Sequence, residues 1–167
     1  LVKKVLNGYG KPAYSVCDGM PWAADLAFDC DRSKAKQILA DGGWADSDGD
    51  GIVEKDNLKA ALDLYYPADD SVRQGMATEF VNEMKEIGIE VTIHGESWDN
   101  IYIHEYSDPI LWGWGSNSPA EPYTLNHSAS PSDYASYRND ELDKILDEAM
   151  SSLDLNTAYQ NFKDAAQ

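Results

Sequence analysis

The chain has 167 residues, enough for a domain with a real core, and its 43% hydrophobic and 26% charged residues are those of a globular protein. With 13 basic against 30 acidic residues the formal charge is −17, which excludes the basic footprint that nucleic acid or anionic lipid requires. No apolar run approaches the roughly 18 residues that a membrane-spanning helix needs.

Leu1 reads as mid-chain and a helical pattern runs up to Gln167, so the sequence reads as a fragment or processed piece, and its lack of a leader says nothing about location. The opening LVKKVLNGYG starts a helix that stops at Gly8. Pro12, Gly19 and Pro21 make the next stretch irregular, with Cys17, Met20 and Trp22 as packing residues. Cys17 and Cys30 fit no zinc or CxxC spacing. They can pair in an exported chain and would stay free in a cytosolic one, and the sequence does not choose between the two.

A short helix follows, capped by Asp31 or Ser33, burying Ala35, Ile38 and Leu39 and ending at Gly42 and Gly43. ADSDGDGIVEKDN then carries the first half of a calcium loop. Asp46, Asp48 and Asp50 alternate and Gly51 supplies the bend, as oxygen ligands in an EF-hand do. The twelfth position is Asn57 instead of the bidentate glutamate, which leaves two readings: a modified calcium site completed by Glu54 or Asp56, or a tight Asp/Gly turn with local side-chain bonds.

Leu58, Ala60, Leu62, Leu64 and Tyr66 fall on one face of a strand that Pro67 stops. Asp69 or Asp70 caps a helix carrying Val72, Met76, Phe80, Val81, Met84 and Ile87 at spacings of three and four, ended by Gly88. Ile89, Val91 and Ile93 form a second strand, so the unit is βαβ with parallel strands. Ser97 caps a helix with Trp98, Ile101 and Tyr102 on one side, and Ile110–Trp112 forms the third strand. The fold class is therefore α/β, with a βαβαβ parallel core sheet and flanking helices. Beyond it, Pro119 to Asn126 forms irregular turns, Asn139 caps a helix burying Leu142, Ile145, Leu146, Ala149 and Met150, and a last helix covers Thr157 to Gln167.

Parallel strands deliver their following loops to one edge, where ligands bind in open α/β sheets. The richest of these loops is DPILWGWGSNSPAEPYTLNH, and its aromatic and polar groups are the candidate ligand contacts: Trp112, Trp114, Ser116, Asn117, Tyr123 and His127. His94 and His104 have no metal spacing and read as surface residues. There is no GxSxG, HExxH or phosphate loop, and paired carboxylates are inevitable among so many acids, so the chain reads as a binding protein that is not an enzyme and requires no cofactor.

The series AKQILADGGWADSDGDGIVEKDN, LKAALDLYYP, EFVNEMKEIGIEVTI, WGWGSNSPAEPYTLNHS and YASYRNDELDKILDEAMSSLD resembles the carboxyl-terminal lobe of extracellular solute-binding proteins of the peptide/nickel class (family 5), the capture subunits of ABC importers. The resemblance implies one lobe of a two-lobed periplasmic-binding-protein-like fold. Residues 1–30 would connect from a missing preceding lobe and 31–167 would form the solute-binding lobe, incomplete at its end. It also implies an oligopeptide, dipeptide or nickel-chelate solute, a membrane permease as partner, and an extracellular or periplasmic place at the cell envelope, as for a lipoprotein. In peptide-binding members an aspartate after the Gly-Trp turn meets the peptide's amino terminus. The corresponding place here is Asn117, whose amide supplies no charge for that pairing. In nickel-type members an aromatic and a later histidine line the pocket. Trp114 takes the place of the aromatic, and His127 is the histidine nearest the other place. The alternative from a different class is a calcium-stabilised structural or adhesion module built on Asp46, Asp48 and Asp50.

Overall fold

The computed structural model describes residues 1–115 and 117–167. Within them the chain forms two compact units, one from Leu1–Lys11 and Asp29–Trp112, the other from Pro12–Phe28 and Gly113–Gln167.

Unit one contains α1 (Val2–Val5), α2 (Arg32–Asp41), β1 (Glu54–Lys55), β2 (Leu58–Lys59), β3 (Ala61–Pro67), α3 (Ser71–Lys85), β4 (Glu90–Glu96), α4 (Trp98–Ile101) and a 3-10 turn at Tyr102–His104. β3 and β4 pair in parallel from Ala61 opposite Glu90 to Pro67 opposite Glu96. The Asp70 carboxylate caps α3 by accepting from the Val72 and Arg73 N–H groups. The βαβ unit is as expected. Leu64, Tyr66 and Val91 are buried against Ala77 of α3, with Leu62, Phe80, Val81, Met84 and Ile93 packed around them. Each large side chain so buried contributes roughly 1.5–3 kcal/mol.

The third strand is present as a single parallel bridge between Tyr65 and Ile110. Tyr65 N–H donates to Pro109 O at 3.0 Å and Leu111 N–H donates to Tyr65 O at 2.8 Å. Pro109 has no N–H to extend the ladder backwards. Beyond Ile110, Trp112 N–H turns in to Ile110 O at 2.9 Å and ends it. The strand order is thus β4, β3, Ile110, with the first strand central. On the sheet face away from α3, the Tyr65 ring is stacked between His94 (4.8 Å) and His104 (3.9 Å). His94 Nε2 pairs with Asp63 Oδ1 at 2.6 Å and His104 Nδ1 with Asp108 Oδ2 at 2.9 Å. Both histidines, read from sequence as surface residues, are half-buried members of this stack.

Three expectations in the two units are corrected. The alternation from Leu58 to Tyr66 is not one strand. Asp56 and Asn57 take φ of +53° and +64°, a two-residue turn that joins β1 and β2 in an antiparallel hairpin, leaving Leu58 69% exposed. No residue of α2 is buried; Asp31 caps it, and Ile38 is 61% exposed. Met150, expected inside, is 49% exposed.

Gly88 closes α3 at φ +87°, and Val53 N–H donates to its carbonyl at 2.9 Å. A Cβ there would stand 2.9 Å from Val53 Cγ1, so only glycine lets the chain before β1 approach the end of α3 this closely.

Unit two packs the irregular segment Pro12–Phe28 with α5 (Glu121–Asn126), α6 (Asp140–Ser151) and α7 (Leu155–Asp164). Its core is Cys17, Trp22, Leu146, Ala149 and Phe162, with the Trp22 ring 5.5 Å from that of Tyr159. Asn139 caps α6 and Asp154 caps α7. Cys17 is buried and Cys30 exposed, and no disulfide joins cysteines among the described residues. No described helix is long and apolar enough to cross a membrane.

Candidate functional site

In unit one the loops that follow β3, β4 and Ile110 leave the same edge of the sheet, because all three segments run parallel. The chain adds β4 on one side of β3 and Ile110 on the other. Such a reversal of strand order is where an open α/β sheet leaves a crevice. Ala68 N–H donates to Glu96 O at 2.9 Å and ties the first two loops together. Ser97 Oγ caps α4 by accepting from Asn100 N–H. The helix then sets Trp98 and Tyr102 one turn apart on the same side.

Trp112 completes a three-ring cluster with them. Its centroid lies 5.7 Å from Trp98 and 5.6 Å from Tyr102, and Trp98 to Tyr102 is 5.7 Å. Ile101 of the same helix is fully buried, while Tyr102 is 48% exposed. The edge therefore presents aromatic surface. Nearby, the Ser107 hydroxyl and then His104 hold the Asp108 carboxyl below the ordinary carboxylate range. Burial pushes the Tyr65 phenol up.

In unit two, Trp114 is 40% exposed, its indole N–H donates to Glu121, and its ring meets Tyr134 edge-on at 5.9 Å. Asn117 is exposed. Tyr123 stacks on His127 at 4.3 Å. His127 is 8% exposed, and its Nδ1 accepts from Ala129 N–H at 3.0 Å. That bond places the imidazole proton on Nε2, which stands 3.4 Å from Asp147 Oδ1 without hydrogen-bond geometry. His127 thus sits in the packing of unit two with one nitrogen already engaged. Ser116 lies outside the described residues.

Sequence reasoning passed over Glu121 and Tyr134, the partners of Trp114. It also passed over Asp133, 5% exposed and paired with Arg138 at 3.2 Å. Nothing in the sequence distinguishes Asp133 from the other acids of its loop. The loop before β1 does bring Asp46, Asp48 and Asp50 together and adds Glu54 to them.

The sequence profile for bacterial extracellular solute-binding proteins, family 5 (middle region), matches residues 1–136. The oligopeptide-binding protein AppA of Bacillus subtilis (strain 168) is 32% identical over 169 aligned residues, spanning 92% of this chain and 31% of AppA. Protein XP55 of Streptomyces lividans is 35% identical over 164, spanning 92% of this chain and 30% of XP55. The chain therefore spans about a third of the length of these relatives. Among solved structures, AppA in complex with a nonapeptide superposes with a TM-score of 0.82 at 28% identity, over 99% of this chain and 36% of that one. NikZ from Campylobacter jejuni in complex with Ni(L-His) superposes at 0.90 with 20% identity, over 99% and 35%, a likeness of fold.

Proposed function

The chain belongs to the bacterial extracellular solute-binding proteins of family 5, and from that premise we propose that it supplies one wall of the solute site in the capture protein of an ABC importer. The observation that carries this reading is the Trp98, Tyr102 and Trp112 cluster at the carboxyl edge of the parallel sheet, in a chain with the fold of proteins solved with a nonapeptide and with Ni(L-His). The solute is an oligopeptide, a dipeptide or a metal chelate. A membrane permease receives it, and the protein works outside the cytoplasmic membrane. No catalytic group is needed. Aromatic faces, that of Trp114 among them, contribute apolar contact area, and Ser116, Asn117 and backbone groups orient polar parts of the solute. Closure of the whole protein around the solute completes the site.

Asn117, an amide, favours solutes whose recognition does not depend on a charged amino terminus. The test is thermal unfolding of the full-length protein with di- and oligopeptides, and with nickel alone or with histidine. A solute that raises the melting temperature in the parent but not in Trp112→Ala or Trp114→Ala supports capture at these aromatics. Stabilisation that persists unchanged in both variants would move the site elsewhere. No response to any solute of the panel would count against the peptide and nickel-chelate classes.

A further inference from the structure

The loop that precedes β1 carries chemistry of another kind. Gly51, at φ +91°, bends it. Asp46 Oδ1 and Oδ2 accept from the N–H groups of Gly49 (2.8 Å) and Gly51 (3.0 Å). Asp48 Oδ1 accepts from Asp50 N–H at 3.1 Å, and Asp50 Oδ1 from Ile52 N–H at 2.9 Å. With the backbone folded in this way, one ligand oxygen from each of Asp46, Asp48, Asp50 and Glu54 lies within 4.8 Å of the others. Four carboxylates at that spacing repel one another unless a cation lies among them.

Acidic turns of this kind are common, and the separate sign of a ligand comes from Glu54. The Ser47 N–H and hydroxyl hold its Oε2 at 2.9 and 2.7 Å, which fixes the carboxylate. Its Oε1 is sealed from solvent and has no hydrogen-bond partner among the described residues. A carboxylate oxygen kept from both water and donors is costly, and it is the kind of atom a cation satisfies. Glu54 is fixed there by more than the loop, since its own N–H and C=O bridge to Ala45 at 2.9 and 3.0 Å. The only base placed against the cluster among the described ion pairs is Lys59, brought back by the β1–β2 hairpin. It pairs with Asp50 and stands 3.7 Å from Asp48 Oδ2.

We propose that Asp46, Asp48, Asp50 and Glu54 form a site for calcium, with Lys59 as the built-in counter-charge that the ion displaces. The donors are all oxygen, as a hard cation needs. They come from a flexible-geometry loop at its first, third, fifth and ninth positions, which suits calcium better than magnesium with its strict octahedron. The twelfth position, Asn57, lies in the hairpin turn at φ +64°, so the bidentate glutamate of a tight sensor site is replaced. The affinity expected is that of extracellular modules, about 10⁻⁴–10⁻³ M.

The experiment is calorimetric titration of EDTA-treated full-length protein with calcium and with magnesium, up to about ten times the upper end of that affinity range. One calcium site is expected, with magnesium weaker. Asp48→Asn and Glu54→Gln should each weaken binding by about tenfold or more, circular dichroism confirming that they fold. Lys59→Gln should strengthen binding several-fold, a gain that misfolding cannot produce. The solute response should survive in Asp48→Asn, which separates this site from the capture site. Absence of calcium binding in both the parent and Lys59→Gln would overturn the proposal. So would binding indifferent to Asp48→Asn and Glu54→Gln, which would mark diffuse attraction to an acidic surface.

Discussion

Gly88→Ala is the substitution whose effect can be worked most directly from the structure. The residue sits at φ +87°, where an L side chain costs about 1–2 kcal/mol. The new Cβ would also stand 2.9 Å from Val53 Cγ1, while its distances of 3.5 Å to Val53 N and 3.7 Å to Gly51 O are ordinary contact. Forcing that one methyl aside costs at least about 1 kcal/mol by analogy with overpacked cores. The sum is about 2–4 kcal/mol, or a fall in melting temperature of roughly 5–15 °C for a chain of this size. Urea denaturation of Gly88→Ala, Val53→Ala and the double variant separates the two parts. Removing the Val53 methyls should restore about 1 kcal/mol of the loss and leave the backbone part behind. A Gly88→Ala protein within about 0.5 kcal/mol of the parent would refute the reasoning altogether. An undiminished loss in the Val53→Ala background would remove the steric part.

Leu146, fully buried in the core of unit two, should cost about 2.7–5 kcal/mol as Leu146→Ala and under about 1.5 kcal/mol as Leu146→Met, read by denaturant midpoints. Acid stability follows from carboxyls held below their ordinary value of 3.8: Asp70 by the Arg73 N–H, Asp108 by the Ser107 hydroxyl and His104, and Asp143 by the Ser128 N–H. A carboxyl whose folded value is depressed stabilises fully above the unfolded value, and that stabilisation is lost as pH falls through the folded one. Stability measured from pH 7 downward should therefore hold to roughly pH 5 and fall steeply below about 4. Asp143→Asn should flatten the lower limb; an unchanged acid profile would show that its bond to Ser128 does not survive in solution.

The βαβ unit was legible because two periodicities met clear punctuation: Leu62, Leu64 and Tyr66 at every second residue, Phe80, Val81 and Met84 at helical spacing, and caps at Asp70, Ser97 and Asn139 that all accept the expected N–H groups. The hairpin was not legible. Its second arm keeps the same period of two as β3, and Asp56–Asn57 lacks the glycine that usually marks such a turn. Periodicity also names the apolar side of α2 without saying whether anything packs on it, which is why Ile38 misled. Met150 follows Ala149 by one residue, about 100° around the helix, which carries it past the edge of the buried stripe. At the candidate site, the aromatic content of the sheet edge was readable. The sequence could not show that Trp112 groups with Trp98 and Tyr102 or that the His127 imidazole is engaged by Ala129. The four-residue spacing of Tyr123 and His127 was the available hint of their stacking.

β3 is joined to β4 along its whole length, but to the segment around Ile110 by two backbone hydrogen bonds among the described residues. Protection against hydrogen exchange follows such differences, because short ladders open by local fluctuation while long ones open only with the whole unit. The amide of Leu111 belongs to the first kind and those of β4 to the second. Trp112, next to that bridge, can therefore change its seat at a free-energy cost far below that of global unfolding, so the aromatic edge can rearrange while the sheet behind it stays fixed.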